Sequence, residues 1–202
     1  PDLMEKLKKS YGIAEGDEVV LFLGRMEPAK GVIQLMEAIP LIREKHPNVK
    51  FLIIGKGILE DRMRQEAERL GSVVRLITEL LDQPMKIQHY GIADLCVFPS
   101  LYEPFGIEAL EAAAMGKPSV VGARGVSGLR EIVENRDAPR PTGIHMNGWD
   151  PKDIAWGVNM ALDDPERLKQ WGRNARERCT NDFTWRKAAE RTLEIYQEVL
   201  AR

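Results

Sequence analysis

Two carboxylates, Glu103 and Glu111, stand eight residues apart around a glycine in the segment Glu103-Pro104-Phe105-Gly106-Ile107-Glu108-Ala109-Leu110-Glu111. With a helix starting near Gly106, Glu103 falls in the loop before it and Glu111 lies about one turn inside. Helical side chains lean toward the N-terminus, so the Glu111 carboxylate reaches back toward that loop. The amides of Phe105, Gly106, Ile107 and Glu108 then have no intrahelical acceptor. Carboxylates accept from sugar hydroxyls and amides donate to phosphate, so the segment fits a nucleotide-sugar site. A plainer reading also fits Glu103 and Glu108, since acidic residues are favoured near a helix N-terminus. Glu111 is harder to explain as a solvated residue, because Ala109, Leu110, Ala112, Ala113 and Ala114 leave few exposed positions around it.

Cations are grouped in a second segment, Gly24-Arg25-Met26-Glu27-Pro28-Ala29-Lys30-Gly31, between a strand-like run and a helix-like run. Arg25 and Lys30 between glycines at a helix start make a seat for a phosphate or diphosphate. Arginine grips phosphate through two donors and lysine acts as a point charge. The same segment also reads as a solvated loop with two surface cations. A third segment, Gly122 to Glu131, carries Gly122, Gly125 and Gly128 before a helix, with Ser127 placed to cap it. Alone it reads more readily as a structural loop.

These segments need a frame to hold them. Strand-like runs at Glu18–Leu23, Lys50–Ile54, Val73–Ile77, Asp94–Phe98, Pro118–Val121 and Gly143–Met146 are apolar almost throughout. Helix-like runs separate them: Val32–Lys45, Leu59–Leu70, Pro84–Tyr90, Ile107–Met115 and a start at Gly128–Glu134. Three more helices are expected at Pro151–Leu162, Pro165–Thr180 and Thr184–Leu200. Apolar strands alternating with helices predict an α/β fold, a Rossmann-like doubly wound parallel sheet of roughly six strands covered on both faces. Ligands of such sheets bind at the carboxyl ends of the strands, where all three segments fall. Asn135–Pro141, rich in proline and charge, reads as an insertion before the last strand.

Composition removes several classes. Two hundred and two residues, 44% of them apolar, make one domain, 1–202, large enough for a proper core. A net charge of −2 leaves no basic field for nucleic acid, so an anion site must be local. Cys96 and Cys179 are far apart, and Cys96 reads as a core residue. His46, His89 and His145 have no metal-ligand spacing and no nucleophile nearby in sequence. Gly55-Lys56-Gly57 lacks the third glycine of the dinucleotide fingerprint, and no Walker A sequence occurs. No signal peptide or membrane span is visible, so a cytoplasmic location is expected. The first residue is Pro1 rather than Met, which fits either an earlier natural start or a processed chain.

Together the segments resemble the C-terminal, donor-binding domain of retaining glycosyltransferases of family four, which have the GT-B fold. The resemblance covers nearly the whole chain. It is carried by Gly24-Arg25 with Lys30-Gly31, Asp94 to Ser100, Glu103-Pro104-Phe105-Gly106 with Glu111-Ala112, Gly116 to Val121, and Gly128 to Val133. It implies a hexosyltransferase of the glycogen-synthase-like or polysaccharide-forming group, with a UDP-, ADP- or GDP-linked sugar as substrate and neither cofactor nor metal. Arg25 and Lys30 would hold the donor diphosphate, Glu103 the sugar and Glu111 the ribose. Gly24 and the amides around Pro104, Phe105, Gly106, Ile107, Ser127, Gly128 and Leu129 would line the phosphates and sugar. The base would lie near Gly55, Gly57, Thr78 and Glu79. The expected partner is an acceptor-binding domain preceding this one and absent from the chain, through which alone any peripheral membrane contact would come. The segment 184–200 would lean on that domain. Ser127 stands where the family often has glycine, Glu79 replaces a usual glycine, and Arg136–Pro141 adds residues to a usual short turn. Alternatives are a non-catalytic nucleotide-sugar-binding module and a sugar-nucleotide epimerase of the same fold.

Overall fold

The computed structural model describes residues 2–201. Strands β1 (Glu18–Leu23), β2 (Val49–Ile54), β3 (Val74–Ile77), β4 (Leu95–Phe98), β5 (Ser119–Gly122) and β6 (Gly143–Met146) form one sheet in the order β3-β2-β1-β4-β5-β6. Every pairing is parallel. The order reverses between β1 and β4, so the loops after these two strands diverge and leave a crevice at their carboxyl ends.

The strands are apolar on both faces because both faces are covered. Val20 and Phe22 of β1 join one core layer, and Val19, Leu21 and Leu23 join the other. Helices α2 (Val32–Arg43), α3 (Glu60–Leu70), α7 (Pro151–Leu162) and α8 (Pro165–Asp182) contribute to the first layer. Helices α1 (Asp2–Ser10), α4 (Gln83–Ile92), α5 (Ile107–Ala114) and α6 (Leu129–Ile132) contribute to the second. Helix starts follow local chemistry: Asp82, Asp150 and Asp164 accept from the amides of Met85, Lys152 and Arg167 at 2.8, 2.9 and 3.0 Å. Pro40 sits inside α2, which ends three residues later at Arg43.

Every expected strand is present to within a residue at each end. Helix α1 is an addition to the expected elements; its Met4 and Leu7 pack on the second core layer. The Asn135–Pro141 segment is pinned to α8, where Asn174 donates to the Pro141 carbonyl at 2.8 Å and Arg140 pairs with Glu177. The last helix, α9 (Trp185–Leu200), buries no residue, and Trp185, Leu193, Ile195, Tyr196, Val199 and Leu200 are exposed. Among the described residues no helix is long and apolar enough to cross a membrane.

Candidate functional site

Backbone contacts draw three loops together at the carboxyl edge. After β1 the chain makes a 3-10 turn at Pro28–Lys30 and leaves it through Gly31 at φ 69°. A Cβ at Gly31 would stand 1.9 Å from the Pro99 carbonyl oxygen, so only glycine permits this approach. The Leu101 amide then donates to the Ala29 carbonyl at 2.8 Å. The loops after β4 and β5 are tied by the Glu103 amide to the Val126 carbonyl at 3.2 Å and the Gly128 amide to the Glu103 carbonyl at 2.7 Å. A Cβ at Gly128 would lie 2.4 Å from the Pro104 carbonyl oxygen.

This convergence makes a buried ion cluster. The Lys30 ammonium donates to Glu103 Oε2 at 2.5 Å and to Glu108 Oε1 at 3.4 Å, and the three side chains are 12%, 11% and 25% exposed. Phe22, Phe98 and Leu129 wall the recess. Two carboxylates face one cation, so the cluster keeps spare acceptor capacity, and the ammonium keeps a third donor. Glu103 stands in the loop before α5, and its side chain is packed into this recess. Glu108, at the second position of α5, fits ordinary helix-end acidity by its sequence position; the structure makes it the second partner of Lys30.

Beside the recess lies a cleft of about 460 Å³ between the ends of β1, β2 and β3. Gly24, Arg25, Gly55, Lys56, Gly57 and Glu79 line it, with Lys86 and Glu108 opposite. Arg25 is 69% exposed and paired with Glu27 at 2.6 Å, an exposed pair of little net strength and readily exchanged. The Met26 amide donates to the Lys56 carbonyl at 2.7 Å, which fixes the two loop ends.

Glu111 is one side chain removed from the cleft wall. Its carboxylate accepts from Lys86 at 3.0 and 3.4 Å and from the Tyr90 hydroxyl at 3.0 Å. Burial pushes the Tyr90 pKa up, with further raising from Cys96, Glu111 and Glu108, so the hydroxyl stays a donor. Lys86 and Tyr90 were missed by the sequence analysis. Their signal was the i, i+4 spacing that puts both on one face of α4, after the Asp82 cap.

Other expected residues divide by position. Pro104, Phe105 and Ile107 are exposed around the start of α5, whose first amide bonds run from Ala109 and Leu110 to the Gly106 carbonyl. The amides before Ala109 therefore have no acceptor within the helix. Thr78 stands apart from the cleft lining, accepting from Arg64. Leu129 is buried and packs on Gly106. Ser127 is no helix cap: its hydroxyl donates to the Gly122 carbonyl at 2.6 Å, and α6 starts at Leu129 after Gly128 without a side-chain cap. Ser127 stands one residue before the cap position, which Gly128 holds.

Cys96 and the three histidines do not line the cleft. Cys96 is fully buried and its thiol is pushed up to about 12 by burial. His89 lies between the Tyr11 hydroxyl and the Met85 carbonyl at 2.8 and 2.7 Å, and burial lowers its pKa. His46 meets Glu18 at 3.0 Å, and His145 bonds the Val133 carbonyl at 2.6 Å. Another hollow, of about 300 Å³, lies at the amino ends of the strands around Asp17, Asp94 and Lys117 and contains none of the expected site residues.

A doubly wound sheet with its polar loops gathered at one edge places the molecule among Rossmann-like domains of the GT-B type. The sequence profile described as "Glycosyl transferases group 1" matches residues 4–178, and the chain belongs to that family. It is 36% identical to glycogen synthase of Mycobacterium tuberculosis, over 90% of this chain and 42% of that protein. It is also 36% identical to an uncharacterized glycosyltransferase of Methanocaldococcus jannaschii, over 94% of this chain and 47% of that one. Among solved structures, sucrose-phosphate synthase from Thermosynechococcus elongatus superposes with a TM-score of 0.80 at 28% identity, covering 98% of this chain and 49% of that one. Anabaena HepE, solved in complex with UDP and glucose, has the same fold at a TM-score of 0.79 and 23% identity, covering 98% and 53%. The chain thus spans about half the length of the curated relatives it matches.

Proposed function

We propose that the chain is the donor-binding domain of a retaining hexosyltransferase, which moves a sugar from a nucleoside diphosphate to a saccharide or other hydroxyl acceptor. The observation that carries this reading is the Lys30–Glu103–Glu108 cluster opening beside a glycine-lined cleft at the carboxyl edge of the sheet. In this reading the nucleotide lies in the cleft, with its base toward Gly55–Gly57 and Glu79 and its ribose toward Glu111. Its diphosphate meets Arg25, the third donor of Lys30 and the amides before Ala109. These groups stabilise charge growing on the leaving diphosphate. Glu103 accepts from a sugar hydroxyl with its spare oxygen lone pairs.

Glu103 is already bonded to Lys30, which suits it to orient a sugar rather than to attack it. The acceptor hydroxyl attacks on the face the diphosphate leaves, giving retention. A second domain supplies the acceptor, and the exposed apolar residues of α9 suit a surface for it. The chain alone should therefore bind donors without transferring sugar. Binding should need no divalent ion, because cations of the protein meet the diphosphate.

Titration calorimetry with UDP, ADP and GDP, each with and without a chelator, tests the reading. Binding of one of them that survives chelation and is not matched by NAD supports it. No binding by any of the three, or binding abolished by chelator, contradicts it.

A further inference from the structure

We propose that Tyr90 is a positioning residue whose hydroxyl fixes the Glu111 carboxylate for the ribose hydroxyls of a nucleoside diphosphate. This rests on the reading above that Glu111 meets the ribose. Tyr90 is 1% exposed, and a phenylalanine would fill the same space without burying a hydroxyl. A buried hydroxyl is costly unless bonded. The Tyr90 oxygen lies 3.0 Å from Glu111 Oε2 and 3.2 Å from the Glu108 carbonyl oxygen. It has one proton to give. The carboxylate is charged and closer, so the proton goes there.

Lys86 lies one turn earlier on the same helix and grips the same carboxylate at 3.0 Å. The two groups differ in kind. Lys86 is a partly exposed cation on a flexible stem lining the cleft, whereas Tyr90 is a ring packed in the core. A ligand can draw Lys86 aside without moving Tyr90. Tyr90 is therefore the partner that keeps Glu111 in place while hydroxyls replace the ammonium. A carboxylate has about four lone-pair directions, enough to hold Tyr90 and accept from a ribose together.

The test compares ADP, GDP and UDP with their 2′,3′-dideoxy counterparts by calorimetry on the chain itself. The native chain should favour the ribose form by about tenfold or more. Tyr90→Phe should shrink that preference by about three- to tenfold while leaving dideoxy affinity within about twofold. Equal losses for both ligand forms would mark a general structural role and overturn the proposal. An unchanged preference in Tyr90→Phe, with the preference abolished in Glu111→Ala, would also overturn it while leaving the ribose reading standing. A preference intact in Glu111→Ala would remove the ribose reading itself. Glu111→Ala with and without Tyr90→Phe completes a double-mutant cycle, because a glutamine at 111 would still accept from the Tyr90 hydroxyl. The preference should be the same in those two variants, and a further loss in the double variant would show that Tyr90 acts elsewhere.

Discussion

Lys30 and Arg25 sit five residues apart in one loop, yet they meet opposite environments. Lys30 is turned into a recess between two carboxylates, with its side chain 12% exposed. Arg25 lines the cleft with its side chain 69% exposed and paired, among the described residues, with Glu27. A buried ion cluster is held by its partners, and loss of the shared cation leaves both carboxylates uncompensated. An exposed pair exchanges with water or ligand at little cost. The recess is thus preorganised and the cleft adaptable, which suits the first to orient a sugar and the second to capture a diphosphate.

The largest expected effect follows from removing the buried cation. Lys30→Ala leaves Glu103 and Glu108 facing each other and should destabilise the chain by about 3–5 kcal/mol. Thermal unfolding should show a melting point lower by roughly 10 °C. A change of under about 2 °C would mean that the recess is not held by charge. Arg25→Ala should leave the melting point alone and weaken nucleoside diphosphate and nucleotide sugar alike, by about tenfold. Unequal losses in calorimetry would place Arg25 away from the diphosphate that both ligands share.

Smaller effects mark the edges of the contrast. Deleting residues 184–202 removes a helix in which no residue is buried, so stability should change by less than about 0.5 kcal/mol in urea titration. A marked loss would show that α9 packs on this domain rather than on another. Smallest is the thiol test. Cys96 is buried with its thiol pushed up to about 12, while Cys179 is half-buried and also raised by burial. At neutral pH a thiol reagent should modify Cys179 slowly and Cys96 only on unfolding, as mass spectrometry would show.

Most of the frame was legible because its signals are local. The strands are apolar throughout, and the glycines, prolines and aspartates that bound the helices act within a few residues. Helix α1 escaped because its nine residues give only two turns of pattern, carried by Leu3, Met4 and Leu7. The site was legible as residue types and not as geometry. Lys30 and Glu103 are 73 residues apart, and nothing local says that they touch. Lys86 and Tyr90 reach Glu111 across 25 and 21 residues because α4 lies beside α5. Ser127 is misleading within its own loop: its setting fits a cap, but its hydroxyl donates to the carbonyl of Gly122, five residues before it.

The central claim is that the recess reads the sugar while the cleft reads the nucleotide. Calorimetry on Glu103→Ala, with a nucleotide sugar and its parent diphosphate, tests it most directly. Lys30 keeps Glu108 as a partner in this variant, so the cluster loses one charge without stranding the cation. The account predicts that nucleotide-sugar affinity falls by about 1.5–3 kcal/mol, tenfold to a hundredfold, while diphosphate affinity changes by less than about threefold. Equal losses for the two ligands would contradict it, however large those losses were.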